Sequence, residues 1–246
     1  MRILSLGSGS KGNATVVEHD GHVLLIDCGL PLKLFRNIEA DGVLLTHSHA
    51  DHTAGLEKFV RHRGTPVYAN ALTAEVVVHD CRVSEDAFVC FEDGQSFEIG
   101  SFSVTPFAIP HDTSDPVGYL VRAGGVTYFH GTDIGTPLES IGRRLAEADV
   151  ATLESNHDSV MLRTSGRTPS LIQRIAGPRG HLSNDQACDL VRRYASPHLR
   201  KLALAHLSRD CNAPHLALER MKATLLEMKR DDIELKVFCQ DEITEL

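Results

Sequence analysis

The sequence contains no tryptophan, and aromatic residues fill only 5% of its 246 positions. Base-stacking platforms of the kind that grip single strands are therefore poorly supplied. No apolar run approaches the roughly 18 residues of a membrane span, and Met1 to Gly12 holds no hydrophobic stretch of signal-peptide length. A chain kept in the cytoplasm, with no membrane partner, is expected. The six cysteines (Cys28, Cys81, Cys90, Cys188, Cys211, Cys239) include no C-x-x-C pair, which argues for reduced thiols and against a zinc ribbon or a disulfide frame. Cations are in the minority. Lys and Arg number 25 against 33 acidic residues, net −8, so this is no general nucleic-acid coat. Low-complexity linkers, short repeats and Pro/Gly-rich hinges are also missing, which predicts a single domain over residues 1–246.

What is present is a globular mixture, 42% hydrophobic and 24% charged, ample for a sizeable core. The first half reads as short strands: Arg2 to Leu6, a hairpin from Ala14 to Glu18 and His22 to Asp27, then Val43 to Thr46 and Pro66 to Tyr68. Further strands fit Ser96 to Ile99, Ser101 to Ile109, Gly118 to Arg122 and Val126 to His130. Helical spacing appears at Leu32 to Ile38 and Ala54 to Arg61. The second half alternates helices (Pro137 to Ala146, Asp185 to Tyr194, His215 to Met228) with strands near Val150 to Leu153, Leu202 to Ala205 and Glu234 to Phe238. That pattern predicts a layered α/β domain.

Gly7, Gly9 and Gly12 spell G-x-G-x-x-G after the first strand, with Asp27 beyond. A dinucleotide fingerprint needs a helix to open at the third glycine so that its dipole meets the pyrophosphate. Here Asn13 to Glu18 reads as strand and Asp20-Gly21 as turn, so the nicotinamide reading fails. Two others stand: a tight turn, or a loop whose amides and Lys11 touch a substrate phosphate.

Fourteen histidines are the surplus, and they cluster. In Thr46-His47-Ser48-His49-Ala50-Asp51-His52, His47 and His49 lie two apart in extended chain and so face the same side. Asp51 and His52 then open the next helix. Four N/O ligands within six residues exceed what one tetrahedral ion takes from so short a loop, which predicts two metals. Their remaining ligands should end strands facing the same cleft, and His111, Asp133 and His206 qualify.

In this order the motifs resemble the metallo-β-lactamase superfamily, and the match extends to Asp27 in Leu24-Leu25-Ile26-Asp27-Cys28-Gly29. The resemblance implies a four-layer αβ/βα sandwich. It implies that His47, His49 and His111 hold one ion, that Asp51, His52 and His206 hold the second, and that Asp133 bridges both. Two divalent ions outweigh two carboxylates and a bridging hydroxide, and the positive cleft that results suits a phosphodiester. Zinc and manganese both accept these ligands. The stretches Glu154-Ser155-Asn156-His157-Asp158, Arg179-Gly180-His181-Leu182-Ser183-Asn184 and Ala205-His206-Leu207-Ser208-Arg209-Asp210-Cys211-Asn212, with the loop Ser8 to Asn13, look like the WalJ (YycJ) subgroup. This implies a relative of ribonuclease Z-type nucleases, in which a Gly-His-Ser-Thr stretch stands where Gly180-His181-Leu182-Ser183 stands here. Leu182 is the departure.

The expected activity is 5′-to-3′ DNA exonuclease, DNA favoured over RNA, with attack by a metal-bridging hydroxide. The catalytic residues would be Asp51 and His181, the latter stabilising the transition state or protonating the leaving oxygen. Ser10, Lys11, Asn13, Asn156, Arg179 and Ser208 would touch substrate. Only 72 positions separate Asp133 from His206, which leaves no room for a β-CASP insert. From Ser159 to Arg209 nine positive residues (Arg163, Arg167, Arg174, Arg179, Arg192, Arg193, Arg200, Lys201, Arg209) face only Asp185 and Asp189, net +7 against −15 for the rest. Such asymmetry predicts a phosphate-backbone track. Two rivals remain: a small-molecule hydrolase (cyclic phosphodiesterase or glyoxalase-like thioesterase), or a metal-stabilised module without turnover.

Overall fold

The computed structural model describes residues 1–246. Strands β1 (Arg2–Gly7), β2 (Ala14–His19) and β3 (His22–Ile26) form an antiparallel meander. Strands β4 (Gly42–Leu44), β5 (Val67–Asn70) and β6 (Phe88–Phe91) extend it in parallel from β3. The second sheet repeats this plan. Its antiparallel strands are β7 (Phe97–Ile99), β8 (Phe102–Ala108), β9 (Val117–Ala123) and β10 (Val126–Gly131). Then β11 (Val150–Glu154), β12 (Lys201–Ala205) and β13 (Glu234–Val237) add in parallel. The last strand, β14 (Thr244–Glu245), returns to pair with β1 in the first sheet.

Three apolar clusters make the layers. Ile3, Val17, Leu24 and Leu44 meet Phe102, Tyr119, Tyr128 and Phe238 between the sheets. Outside the first sheet, helices α2 (Leu56–Arg63) and α3 (Ala71–Cys81) place Leu56, Phe59, Ala74 and Val77 against Leu25, Val43 and Val67. Outside the second, α4 (Glu139–Leu145), α7 (Asn184–Tyr194) and α8 (Pro214–Glu227) pack Ile141, Leu190 and Met221 on Phe129, Leu153 and Leu204. Helix, sheet, sheet, helix: this is the αβ/βα sandwich.

Several elements depart from the sequence reading. The helix expected over Leu32 to Ile38 is a single 3-10 turn, Leu32–Phe35, fixed where Phe35 meets Phe59 edge-on at 5.5 Å. Helix α3 was not expected, because its Val76-Val77-Val78 run disfavours helix. Asn70 caps it by accepting from Thr73 N–H at 2.9 Å, and burial of Ala74 and Val77 outweighs propensity. Strand β6 and the short helices α5 (Ser159–Thr164) and α6 (Pro169–Ile175) were also unforeseen, the helices being started by Asp158 and Thr168 caps. No helix is long and apolar enough to cross a membrane.

Candidate metal centre

Strands β3, β4, β8, β10, β11 and β12 all deliver their carboxyl ends to one edge of the sandwich. Beyond those ends stand Asp27, His47, His111, Asp133 and His206, while Glu154 is the last residue of β11. Asp27, Asp133 and His206 adopt left-handed backbone, with φ of 61°, 59° and 54°. Non-glycine residues pay for that conformation, and it turns the chain sharply so that each side chain enters the cleft. Asp51 and His52 arrive on a single helical turn, α1 (Ala50–Thr53). Its backbone is locked to the neighbouring strand end, because Cys28 N–H donates to His52 O and Asn13 N–H to Asp51 O, both at 2.8 Å.

The seven expected ligands converge. Their donor atoms form overlapping groups within 4.8 Å: His47, His49 and His111; His47, His52 and Asp133; Asp51, His52 and His206; and Asp133 with Glu154, His181 and His206. Asp133 belongs to two of these groups, as His47, His52 and His206 also do. Four of the five rings are aimed by their other nitrogen, His47 Nδ1 lying 3.0 Å from Thr46 Oγ1. His52 Nδ1 lies 2.7 Å from Asp27 Oδ2, His111 Nδ1 3.0 Å from Gly180 O, and His206 Nδ1 3.0 Å from Glu154 Oε1. Such partners fix the tautomer and leave Nε2 free to ligate. His47 Nε2 and Asp133 Oδ2 are buried without hydrogen-bond partners. Orphaned polar atoms cost roughly 1–3 kcal/mol each, and a divalent cation between them removes that cost. The donor set therefore fits divalent metal.

Electrostatics agree. Burial, then repulsion from His52, pushes the His47 imidazole well below its usual value, and burial lowers His49 and His111 likewise. Neutral rings offer lone pairs. Burial alone would raise Asp51 and Asp133, but facing histidines hold both carboxyls below the ordinary range. Burial would lower His206, yet Asp133, with bonds to Asp51 and Glu154, lifts it to about 10. Carboxylates that draw a proton onto a buried histidine mark a place short of positive charge.

A family description, the beta-lactamase superfamily domain, matches residues 22–206. The chain belongs to the metallo-β-lactamase superfamily. It is 33% identical over 233 residues to the exodeoxyribonuclease YycJ of Bacillus anthracis, spanning 90% of this chain and 88% of that one. To the exodeoxyribonuclease WalJ of Streptococcus pneumoniae it is 30% identical over 224 residues, spanning 86% and 83%. The solved structure of Zn(2+)-bound PqqB from Methylobacterium extorquens superposes with a TM-score of 0.75 over the whole of both chains, at 17% identity. That last likeness is one of fold. With such relatives in this superfamily, the chain is a metal-dependent hydrolase.

The residues expected to touch substrate separate into two sets. His181 and Ser10 line the metal cavity. The other side chains, Lys11 apart, bond to the chain itself. Asn13 is buried, accepts from Gly9 N–H at 2.8 Å and from Ser8 Oγ at 3.2 Å, and returns a bond to Gly9 O. Ser8 Oγ in turn accepts from His206 N–H at 2.8 Å. The glycine loop thus positions the expected ligands Asp51 and His206. No helix follows it, and Gly12 is required because a Cβ there would lie 2.6 Å from Gly29 O. Asn156 Nδ2 donates to His206 O at 2.8 Å, Ser208 Oγ accepts from Cys211 N–H, and Lys11 is exposed with its N–H on Gln240. Arg179 Nε donates to His111 O at 2.9 Å, tying two loops together. Six of the nine cations of the expected basic track are paired: Arg167 with Asp210, Arg174 with Asp112, Arg192 with Asp189 and Glu227, Arg200 with Asp232, Lys201 with Glu234 and Arg209 with Asp241.

Glu154 is the residue that sequence reasoning left without a role. Wholly buried, it accepts from His181 and His206 Nδ1 and from the N–H groups of Ile134 and Leu182, each at 2.8–3.0 Å. Burial would raise its carboxyl, but His181 draws it down to about 2. Its signal was positional: it ends a strand whose two neighbours, β10 and β12, lead to Asp133 and His206.

Proposed function

We propose that this chain is a two-metal phosphodiesterase acting on nucleic acid, specifically a 5′-to-3′ DNA exonuclease. The observation that carries this reading is identity of 30–33%, over most of both chains, with relatives named exodeoxyribonucleases. Two ions, zinc or manganese, would be held by His47, His49 and His111 and by Asp51, His52 and His206, with Asp133 between them. Bound there, they would supply Lewis-acid polarisation of the phosphoryl group and activation of water.

The chain's own groups do the rest. Asp51 and Asp133 remain ionised and keep the cleft from being excessively positive. Asp27 and Glu154 hold the ligand rings against rotation. His181 presents Nδ1 to Glu154 at 2.9 Å and leaves Nε2 without a protein partner, at the cavity wall. From there a protonated ring can give its proton to the leaving oxygen, and Glu154 stabilises the charged form until then. The cavity, 190 Å³, is smaller than the roughly 300–1,000 Å³ that encloses a drug-sized ligand. Only the reacting group enters, which favours a strand end over an engulfed small molecule.

The test is incubation of zinc- and manganese-reconstituted protein with DNA and RNA labelled at either end, with and without a 5′ phosphate. Stepwise release from the 5′ end of DNA, abolished by a chelator, is expected. Faster turnover of a thioester than of any oligonucleotide would replace this reading with the small-molecule one.

A further inference from the structure

Helix α6 roofs the metal cavity, and none of its residues is buried. Leu171, Arg174 and Ile175, at helical spacing on one face, line the cavity from above. Arg174 is the only arginine or lysine in that lining. Its Nε donates to Asp112 Oδ2 at 2.6 Å, while Nη1 and Nη2 make no hydrogen bond to protein. The free edge of the guanidinium is the one whose two parallel N–H groups match two phosphate oxygens. Asp112 reaches the other way too. Its Oδ1 is buried without a hydrogen-bond partner, 3.4 Å from His111 Nε2 and 3.7 Å from His49 Nε2. One carboxylate therefore fixes the guanidinium at a set distance from the metal ligands. The Arg174 side chain is 64% exposed, so it stands at the mouth rather than at the reacting centre.

We propose that Arg174 recognises the backbone phosphate adjacent to the one being cut, with Asp112 as its positioning residue. By that contact the cleft selects a nucleotide strand over an isolated diester. The other arginines near the cleft do not compete for this part, since Arg167 is paired with Asp210 and Arg179 is spent on backbone carbonyls. The proposal rests on the nuclease reading above.

The experiment compares DNA oligonucleotides of natural backbone with ones carrying a single neutral methylphosphonate, placed in separate substrates on either side of the cut. For the wild type, one of the two neutral linkages should lower kcat/KM by roughly tenfold to a hundredfold, the scale of one charge-assisted hydrogen-bond pair. Arg174→Gln should lose a similar factor on the natural strand and then be indifferent to that neutral linkage. Arg174→Lys, which keeps the charge without the planar fork, should retain part of the discrimination and serves where Arg174→Gln melts early. The proposal is overturned if Arg174→Gln cuts the natural strand as fast as the wild type, or if the variant still pays the full penalty for the neutral linkage. A wild type that cuts no oligonucleotide under any metal condition overturns the nuclease reading itself, and so is distinguishable from both.

Discussion

At Asp133 two demands meet: a left-handed backbone, and a carboxylate lying between His47 and His52 on one side and Glu154, His181 and His206 on the other. One such group can hold two ions at the roughly 3.5–4 Å separation of two-metal sites. Asp133→Ala should therefore lower metal content, read by elemental analysis, and abolish hydrolysis. Full activity with both metals retained would remove the bridging assignment. His181 makes the opposite prediction. It leans on Glu154 and lines the cavity, so His181→Ala should keep near-native metal and slow turnover by roughly 10²–10⁴. Metal lost from that variant would make it a ligand and place His206 in question.

Among the elements, the strand ends set the site and the helical turns are clamped to them. Gly29, just beyond β3, shows how tightly. A Cβ there would sit 1.7 Å from Asp51 O, so the backbone of α1 would have to shift. Overpacking of this kind costs typically about 1–3 kcal/mol. Gly29→Ala should lower the thermal midpoint and, by pushing α1 outward, weaken the metal bound through Asp51 and His52 more than that bound through His47, His49 and His111. Metal titration followed by unfolding checks both; equal loss at the two sites would mean that the strain spreads through the whole edge.

Across the whole molecule, charge is more evenly spent than the chain order suggests. Six of the nine cations between Ser159 and Arg209 are paired with acidic residues and Arg179 bonds backbone carbonyls, leaving Arg163, Arg193 and the free edge of Arg174, with exposed Lys11, as candidates to meet phosphates. Four contacts would give a slope of log affinity on log salt of about −3 to −3.5. Oligonucleotide binding measured from low to physiological salt should show it. A slope several times steeper would restore an extended track, and none at all would argue for a pocket enzyme.

The convergence of the candidate ligands was legible in the sequence because metal chemistry restricts residue type and the strand ends restrict spacing: His47, His49, Asp51 and His52 announce themselves within six residues. A layered α/β domain was legible through the alternation of short strands and helices, and the four-layer sandwich only through the resemblance of its motifs to the superfamily. Other roles were settled only by folding. Glu154 looks ordinary until β10, β11 and β12 align in parallel and bring it under two histidines. Asn13, Asn156 and Arg179 carry groups that suit a phosphate, yet the folded backbone uses them to satisfy its own carbonyls and amides. A linear count of charge could not see which arginines the sheet and helices would bring against carboxylates, because ion pairing depends on distance in space and partners can lie far apart in sequence, 62 residues for Arg174 and Asp112.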